Sequence, residues 1–166
     1  MNENRPRITI EWSPAAWLVE ALALAMLIAC VALVAAAWSG LPATIPVHFD
    51  ALGKPDRTGP RETLLLLPAI HLVLYVLLTV VARFPHLCNV PFRITPENAA
   101  RQYQLVVGML RFVKLMSGAL LAWVVHGSIR VAKADAAGLS SIGLWGILGV
   151  LFAGIAVYFV LALRAR

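Results

Sequence analysis

Three of the four histidines, His48, His71 and His126, together with Asp50 and Asp56, are the side chains that could hold a metal, because imidazole and carboxylate are ordinary zinc ligands. Their spacing is irregular and no HExxH helix pairs any two of them, so separate structural roles for each histidine compete with a metal site. Glu20, Arg111 and Lys114 form a second set, placed in or at the edge of long apolar runs where an unpartnered charge is costly. Arg111 and Lys114 are three residues apart, which sets them near one another on a helix. Glu20 lies at a similar depth, so an ion pair from Glu20 to Lys114 or Arg111 competes with snorkelling of both bases to the inner surface. Ser39, Ser117, Ser128, Ser140 and Ser141 have no base beside them, and neither a nucleotide-binding glycine loop nor a GxSxG elbow occurs. On these residues the chain leans away from catalysis.

The elements that must position these groups are set by composition. The chain is 61% hydrophobic and 13% charged, whereas soluble domains carry about 45–50% apolar and about 25% charged residues. With a mean hydropathy of +0.83 it reads as a membrane protein. A hydrocarbon core of about 30 Å takes about 20 apolar residues per helix. Four continuous runs qualify, predicting helices over about 15–38, 63–83, 96–132 and 140–163, with an outer loop at 39–62 and an inner loop at 84–95. Continuous runs favour helices over the alternating strands of an outer-membrane barrel. The fold class is therefore all-α: an integral membrane four-helix bundle in a single domain, 1–166.

Orientation follows from the basic residues near the helix ends. With the N-terminus inside, Arg5, Arg7, Arg83, Arg93, Arg101, Arg111, Lys114, Arg164 and Arg166 lie on the inner side, nine of the 14 Lys and Arg. Lys54, Arg57, Arg61, Arg130 and Lys133, the other five, lie outside. Both termini then face the cytoplasm. The net charge of +6 is explained by topology, and nucleic acid is not needed as a partner. Arg5 and Arg7 precede a run too long for a signal-peptide core, so the first helix reads as an uncleaved anchor. Trp12 and Trp17 read as interfacial anchors, and Cys30 and Cys88 are too far apart in this plan to pair.

The outer loop is rich in proline, which fixes φ and pushes the preceding residue toward extended geometry, so Leu41 and Ile45 are expected to be extended. A mix of proline, apolar and titratable residues is unlike a flexible linker, and the loop is expected to be structured, folded over the second and third helices. His71 falls about 12 Å below the outer start of the second helix, at 1.5 Å per residue, and Pro68 is placed to kink that helix. Thr95 is expected to cap the third helix, with Pro96 at its first position and Glu97 complementing the dipole. That helix begins before the membrane does. Ala99, Tyr103, Val106, Leu110 and Val113 share one face, and Glu97, Arg101, Gln104 and Arg111 share the other, as in an interfacial segment with its basic side toward headgroups. In the fourth helix, Gly143, Gly146, Gly149, Ala153 and Gly154 form a small-residue face expected to pack in the bundle or against a second copy, and Trp145 and Tyr158 read as belt residues.

From Leu41 to Asp56 the loop reads LPATIPVHFDALGKPD, that is LPxxIPxHFxxxGxxD. This resembles the signature of a bacterial membrane domain of unknown function found in the N-terminal part of SdpI-type immunity proteins. Ile94-Thr95-Pro96-Glu97-Asn98, then Gln102-Tyr103, then Leu110 to Lys114 are similar to that family's ITxEN...QY...LK segment. The resemblance implies a multi-pass protein of the bacterial cytoplasmic membrane that protects against a secreted killing peptide, and that can draw a small helix-turn-helix repressor to the membrane. By the same analogy Leu41, Pro42, Ile45, Pro46, His48, Phe49, Gly53 and Asp56 are family positions on the outer side, and Asn98 and Tyr103 on the inner side. The expected function is non-catalytic immunity or peptide sensing, with no cofactor or a single metal ion at most. Expected partners are the bilayer, a peptide toxin or another membrane protein, and a second copy of the chain. The alternatives are a small subunit or permease-like component whose polar path is Glu20, Arg111 and Lys114, and third a metal-dependent membrane enzyme.

Overall fold

Apolar runs of this length, interrupted by proline and polar residues at three places, can bury their backbone polar groups only as helices joined outside the hydrocarbon. The structure is a computed structural model and describes residues 5–90 and 93–165. Pro91 of the expected inner loop and Arg166 of the inner charge count lie outside the described residues. The order is helix α1 (Pro14–Ala37), strands β1 (Thr44–Phe49) and β2 (Pro55–Pro60), then helices α2 (Leu66–Val81), α3 (Ala99–Ala132) and α4 (Ser141–Arg164). All four helices, counting the 3-10 turns that extend α1 and α2, are long and apolar enough to cross a membrane. The all-α bundle stands, and the loop between α1 and α2, expected on the outer side, carries a two-stranded antiparallel hairpin.

The helix ends follow from local chemistry. Ser13 accepts a hydrogen bond from the Ala16 amide at 3.1 Å with Pro14 in the first position, and Ser140 accepts one from Gly143 at 3.3 Å. Thr95 and Asn98 bond reciprocally: the Thr95 amide donates to Asn98 Oδ1 at 2.9 Å and the Asn98 amide to Thr95 Oγ1 at 3.4 Å. Thr95 thus begins the turn, but regular α3 starts at Ala99, because residues 96–98 are spent closing it. A 3-10 turn over Arg61–Leu65 leads into α2, so Pro68 falls in the first turn of the regular helix.

Helix α3 is the hub, and α1, α2 and α4 each pack against it. At about 51 Å for its 34 residues it exceeds the hydrocarbon thickness. Its small residues admit neighbours while α1, α2 and α4 turn Trp17, Ile28, Val73, Leu77, Phe152 and Val157 outward, as lipid-facing helices do. At the hairpin end one core joins Cys30, Val34 and Ala37 of α1 to Leu41, Ile45 and Leu64 and to Ala122, Val125 and Ile129 of α3. At the terminus end Ile94, Ala99 and Tyr103 pack with Ile8 and Ile10, and Val106 packs with Tyr158 and Ala162.

Two expectations are corrected there. The apolar face of α3 from Ala99 to Val106 is covered by the N-terminal segment and α4 rather than resting on headgroups, and Arg111, assigned to its polar face, is buried. Tyr158 is core, not belt. The small-residue face of α4 also divides: Gly143 lies against Trp123 and Gly154 against Phe112, whereas Gly146 and Gly149 face open space.

Candidate functional site

The loop motif is built mostly from residues that fasten the hairpin down. Leu41 and Ile45 are 5% and 1% exposed and insert into the α1–α3 core, so the two apolar motif positions are anchors. Pro42 is exposed, and Pro46 and Phe49 are half-buried on β1, a strand with no third neighbour to demand the proline's missing amide. Asp50 caps the tip, its Oδ1 accepting from the Leu52 and Lys54 amides at 2.9 and 2.8 Å. Gly53 sits at φ +82°, where a side chain would be strained, and its carbonyl accepts from the Leu139 amide at 2.8 Å. A Cβ at Gly53 would also fall on the Leu139 carbonyl. The hairpin tip is thereby tied to the α3–α4 connection.

What the hairpin offers outward is the pair His48 and Asp56. Bulges flank His48 in β1, which pairs with Arg57 across the ladder, and such irregularities re-aim side chains. His48 Nδ1 lies 2.6 Å from Asp56 Oδ1, and both side chains are about half exposed, at 56% and 46%. Two small cavities border β1. One of about 260 Å³ is bordered by His48, Phe49, Asp50, Trp123 and Ser140, and one of about 220 Å³ by Ile45, Pro46, Phe49, Ile70 and Ser128. Each is below the roughly 300–1,000 Å³ of sites that enclose a small molecule, and is of a size for one or two side chains.

The intramembrane charges come together. Lys114 Nζ donates to Glu20 Oε2 at 2.6 Å and to Thr79 Oγ1 at 2.9 Å, and Arg111 Nε lies 3.4 Å from Glu20 Oε1. Lys114 Nζ also stands 4.7 Å from the centre of the Tyr75 ring, and the Arg111 guanidinium 4.2 Å from that of Trp12. Lys114 is 2% exposed, so it does not snorkel. Tyr75 and Thr79 recur at a spacing of four on α2, and Arg111 and Lys114 at a spacing of three on α3, so one face of each helix meets Glu20 of α1. Thr79 and Tyr75 were not assigned to this cluster in advance, and Trp12 was read only as an interfacial anchor; the four-residue step from Tyr75 to Thr79, opposite a lysine, is the signal that could have found the first two.

The histidines stay apart. His71 is buried against Gly118, whose missing side chain leaves room for the ring, and both ring nitrogens lack a hydrogen-bond partner among the described residues. His126 is exposed on α3 and His48 lies on the hairpin. Among the described residues no three His, Cys, Asp or Glu side chains are grouped so as to hold a metal ion, so the histidine set read from the sequence is not one site. Cys30 and Cys88 are both free thiols. Of the inner-side motif, Asn98 closes the start of α3, donating to the Arg93 carbonyl at 3.1 Å, and Tyr103 is buried at 1% exposure. Gln102 beside it donates to the Ala162 and Ala165 carbonyls at 2.8 and 3.2 Å, closing the C-terminal end of α4.

Fold and site define a multi-pass membrane protein: a four-helix bundle capped at one end by a tied-down hairpin and holding a buried ion cluster toward the other. The profile of a family described as a domain of unknown function (DUF1648) matches residues 25–72, from the second half of α1 through the hairpin into the first part of α2. An uncharacterized protein of Archaeoglobus fulgidus is 40% identical over 62 residues, which are 32% of this chain and 34% of that protein. The chain thus matches only about a third of that relative's length. No solved structure matches the chain.

Proposed function

We propose that this is a non-catalytic membrane protein of immunity or peptide-sensing type, resembling the SdpI proteins, with its hairpin at the extracytoplasmic surface of a bacterial cytoplasmic membrane and its termini inside. The observation that carries the reading is the seat of the hairpin. Ile45 sits in one core with Val125 and Ile129 of α3, so a load on β1 bears directly on the helix that touches every other. The two side-chain-sized cavities bordering β1 suit an apolar peptide laid across the hairpin, and His48, Asp56 and Arg57 supply polar contacts beside them. At its far end α3 carries Asn98 beside the buried Gln102 and Tyr103, the end of the bundle near which a repressor would be met.

The test is a challenge assay in a sensitive bacterial host, exposing cells with and without the chain to the supernatant of a peptide-secreting strain. The reading expects the wild type to raise survival and His48→Ala or Asp56→Ala to lower that gain while membrane levels stay equal. Equal survival with and without the chain would count against it.

A second reading is favoured by the ion cluster. Glu20, Arg111 and Thr79 line a cavity of about 500 Å³ at the terminus end, as a permease-like component of a larger complex would require of a polar path. In that reading Glu20→Gln abolishes function and His48→Ala does not.

A further inference from the structure

We propose that the terminus-end cavity is a binding site for a phosphate-bearing lipid headgroup, held by Arg7, Arg83 and Arg111. It lies at the opposite end of the bundle from the hairpin and does not rest on the immunity reading; it gives the cavity of the second reading a lipid occupant.

Among the described residues lining the cavity there are three guanidinium groups, Arg7, Arg83 and Arg111, and one carboxylate, Glu20. That carboxylate is already engaged by Lys114 at 2.6 Å, an ion pair that balances it. Arg111 is only 9% exposed, and its Nε is buried with no hydrogen-bond partner among the described residues, since the 3.4 Å approach to Glu20 lacks hydrogen-bond geometry. The Trp12 face over the Arg111 guanidinium eases its charge while leaving most of its N–H donors for another partner. An excess of planar, forked donors around one cavity is the arrangement that recognises a phosphate.

The rest of the lining says which phosphate. Ile8, Ile10, Phe84 and Val107 form apolar wall beside the arginines. The cavity is bordered by residues 7–10 and 12, just before α1 begins at Pro14, and 82–86, just after α2 ends at Val81, which sets it at the level where hydrocarbon gives way to headgroups. At about 500 Å³ it admits a headgroup and the first part of its glycerol and acyl chains. An anion continued by apolar chain at that depth is a phospholipid, and net negative lipids are favoured over zwitterionic ones by the unbalanced arginines.

The experiment uses the full chain purified in a neutral detergent, with phosphatidylglycerol, phosphatidylcholine and inorganic phosphate as probes, read by native mass spectrometry and thermal midpoint. Arg7→Gln/Arg83→Gln replaces two exposed cavity arginines and leaves the buried cluster intact, so the variant folds. Arg93→Gln/Arg101→Gln removes the same charge from exposed positions at the same end but outside the cavity. The proposal expects wild type and the Arg93/Arg101 variant to retain phosphatidylglycerol over phosphatidylcholine, and the Arg7/Arg83 variant to bind it about tenfold more weakly. Equal retention of the two lipids, or equal loss in both double variants, would overturn it. Inorganic phosphate that stabilises the wild type as much as phosphatidylglycerol does would overturn the lipid assignment and place the anion in solution.

Discussion

At the scale of single residues the decisive group is Glu20, which enters α1 about 9 Å from its start at Pro14 and meets two bases. Breaking a buried ion pair from one side leaves an uncompensated charge, at a cost of about 3–5 kcal/mol, whereas replacing both partners with apolar residues of similar volume is close to neutral. Glu20→Leu should therefore lower the thermal midpoint in detergent far more than Glu20→Leu combined with Lys114→Met. Equal midpoints for the single and double variants would refute the coupling. A second prediction concerns Cys88, outside the spanning segments. Burial pushes its thiol above the ordinary value, and the Arg5 guanidinium, bonded to the Cys88 carbonyl at 2.7 Å, draws it partly back down. The thiolate is the reactive form. The pH–rate profile for alkylation of Cys88, measured in a Cys30→Ala background, should have its midpoint above that of free cysteine, and Arg5→Gln should move it higher. A midpoint that falls on removing Arg5 would contradict the placement.

At the scale of elements, the hairpin and α4 make opposite use of small and apolar residues. Ile45→Ala empties a packed site between α1 and α3 and should cost about 2–5 kcal/mol by equilibrium unfolding. Gly154→Leu, against Phe112, should destabilise the bundle, while Gly149→Leu, facing open space, should leave the monomer's stability within about 0.5 kcal/mol. The four helices were legible in the sequence because apolar length leaves one solution in a bilayer. Thr95 was legible as the start of α3 but only opens the turn before the cap at Asn98, and Ser13 and Ser140, which cap α1 and α4, were not read as caps. The hairpin was legible only as extended and structured. Prolines at 46, 55 and 60 argue against a ladder, and it forms because two strands alone leave outer edges that need no amide. The contact of Glu20 with Arg111 and Lys114 was legible as one of two alternatives, from shared depth and a spacing of three. Periodicity on α3 alone, by contrast, put Arg111 on a solvated polar face because it cannot report that Glu20 of another helix covers it. The histidines were misgrouped for the same reason: depth along a helix does not fix which side it presents.

At the scale of the whole molecule, a hairpin tied at its base by Leu41 and Ile45 and at its tip by Gly53 and Leu139 sits on a helix that runs the full length of the bundle. That geometry joins the hairpin directly to the helix that ends at the segment from Asn98 to Tyr103, and the proposed sensing would run along it. The claim on which this depends is that the hairpin is a fixed part of the bundle and not a mobile loop. Hydrogen exchange in lipid nanodiscs measures it directly, in peptides covering residues 44–61 and 136–141. The amides of Asp50, Gly53 and Arg61, and that of Leu139 which donates to Gly53, are hydrogen-bonded and should exchange at least about 100-fold more slowly than in an unstructured peptide. Exchange of these segments at unprotected rates, while the middle of α3 stays protected, would contradict the account.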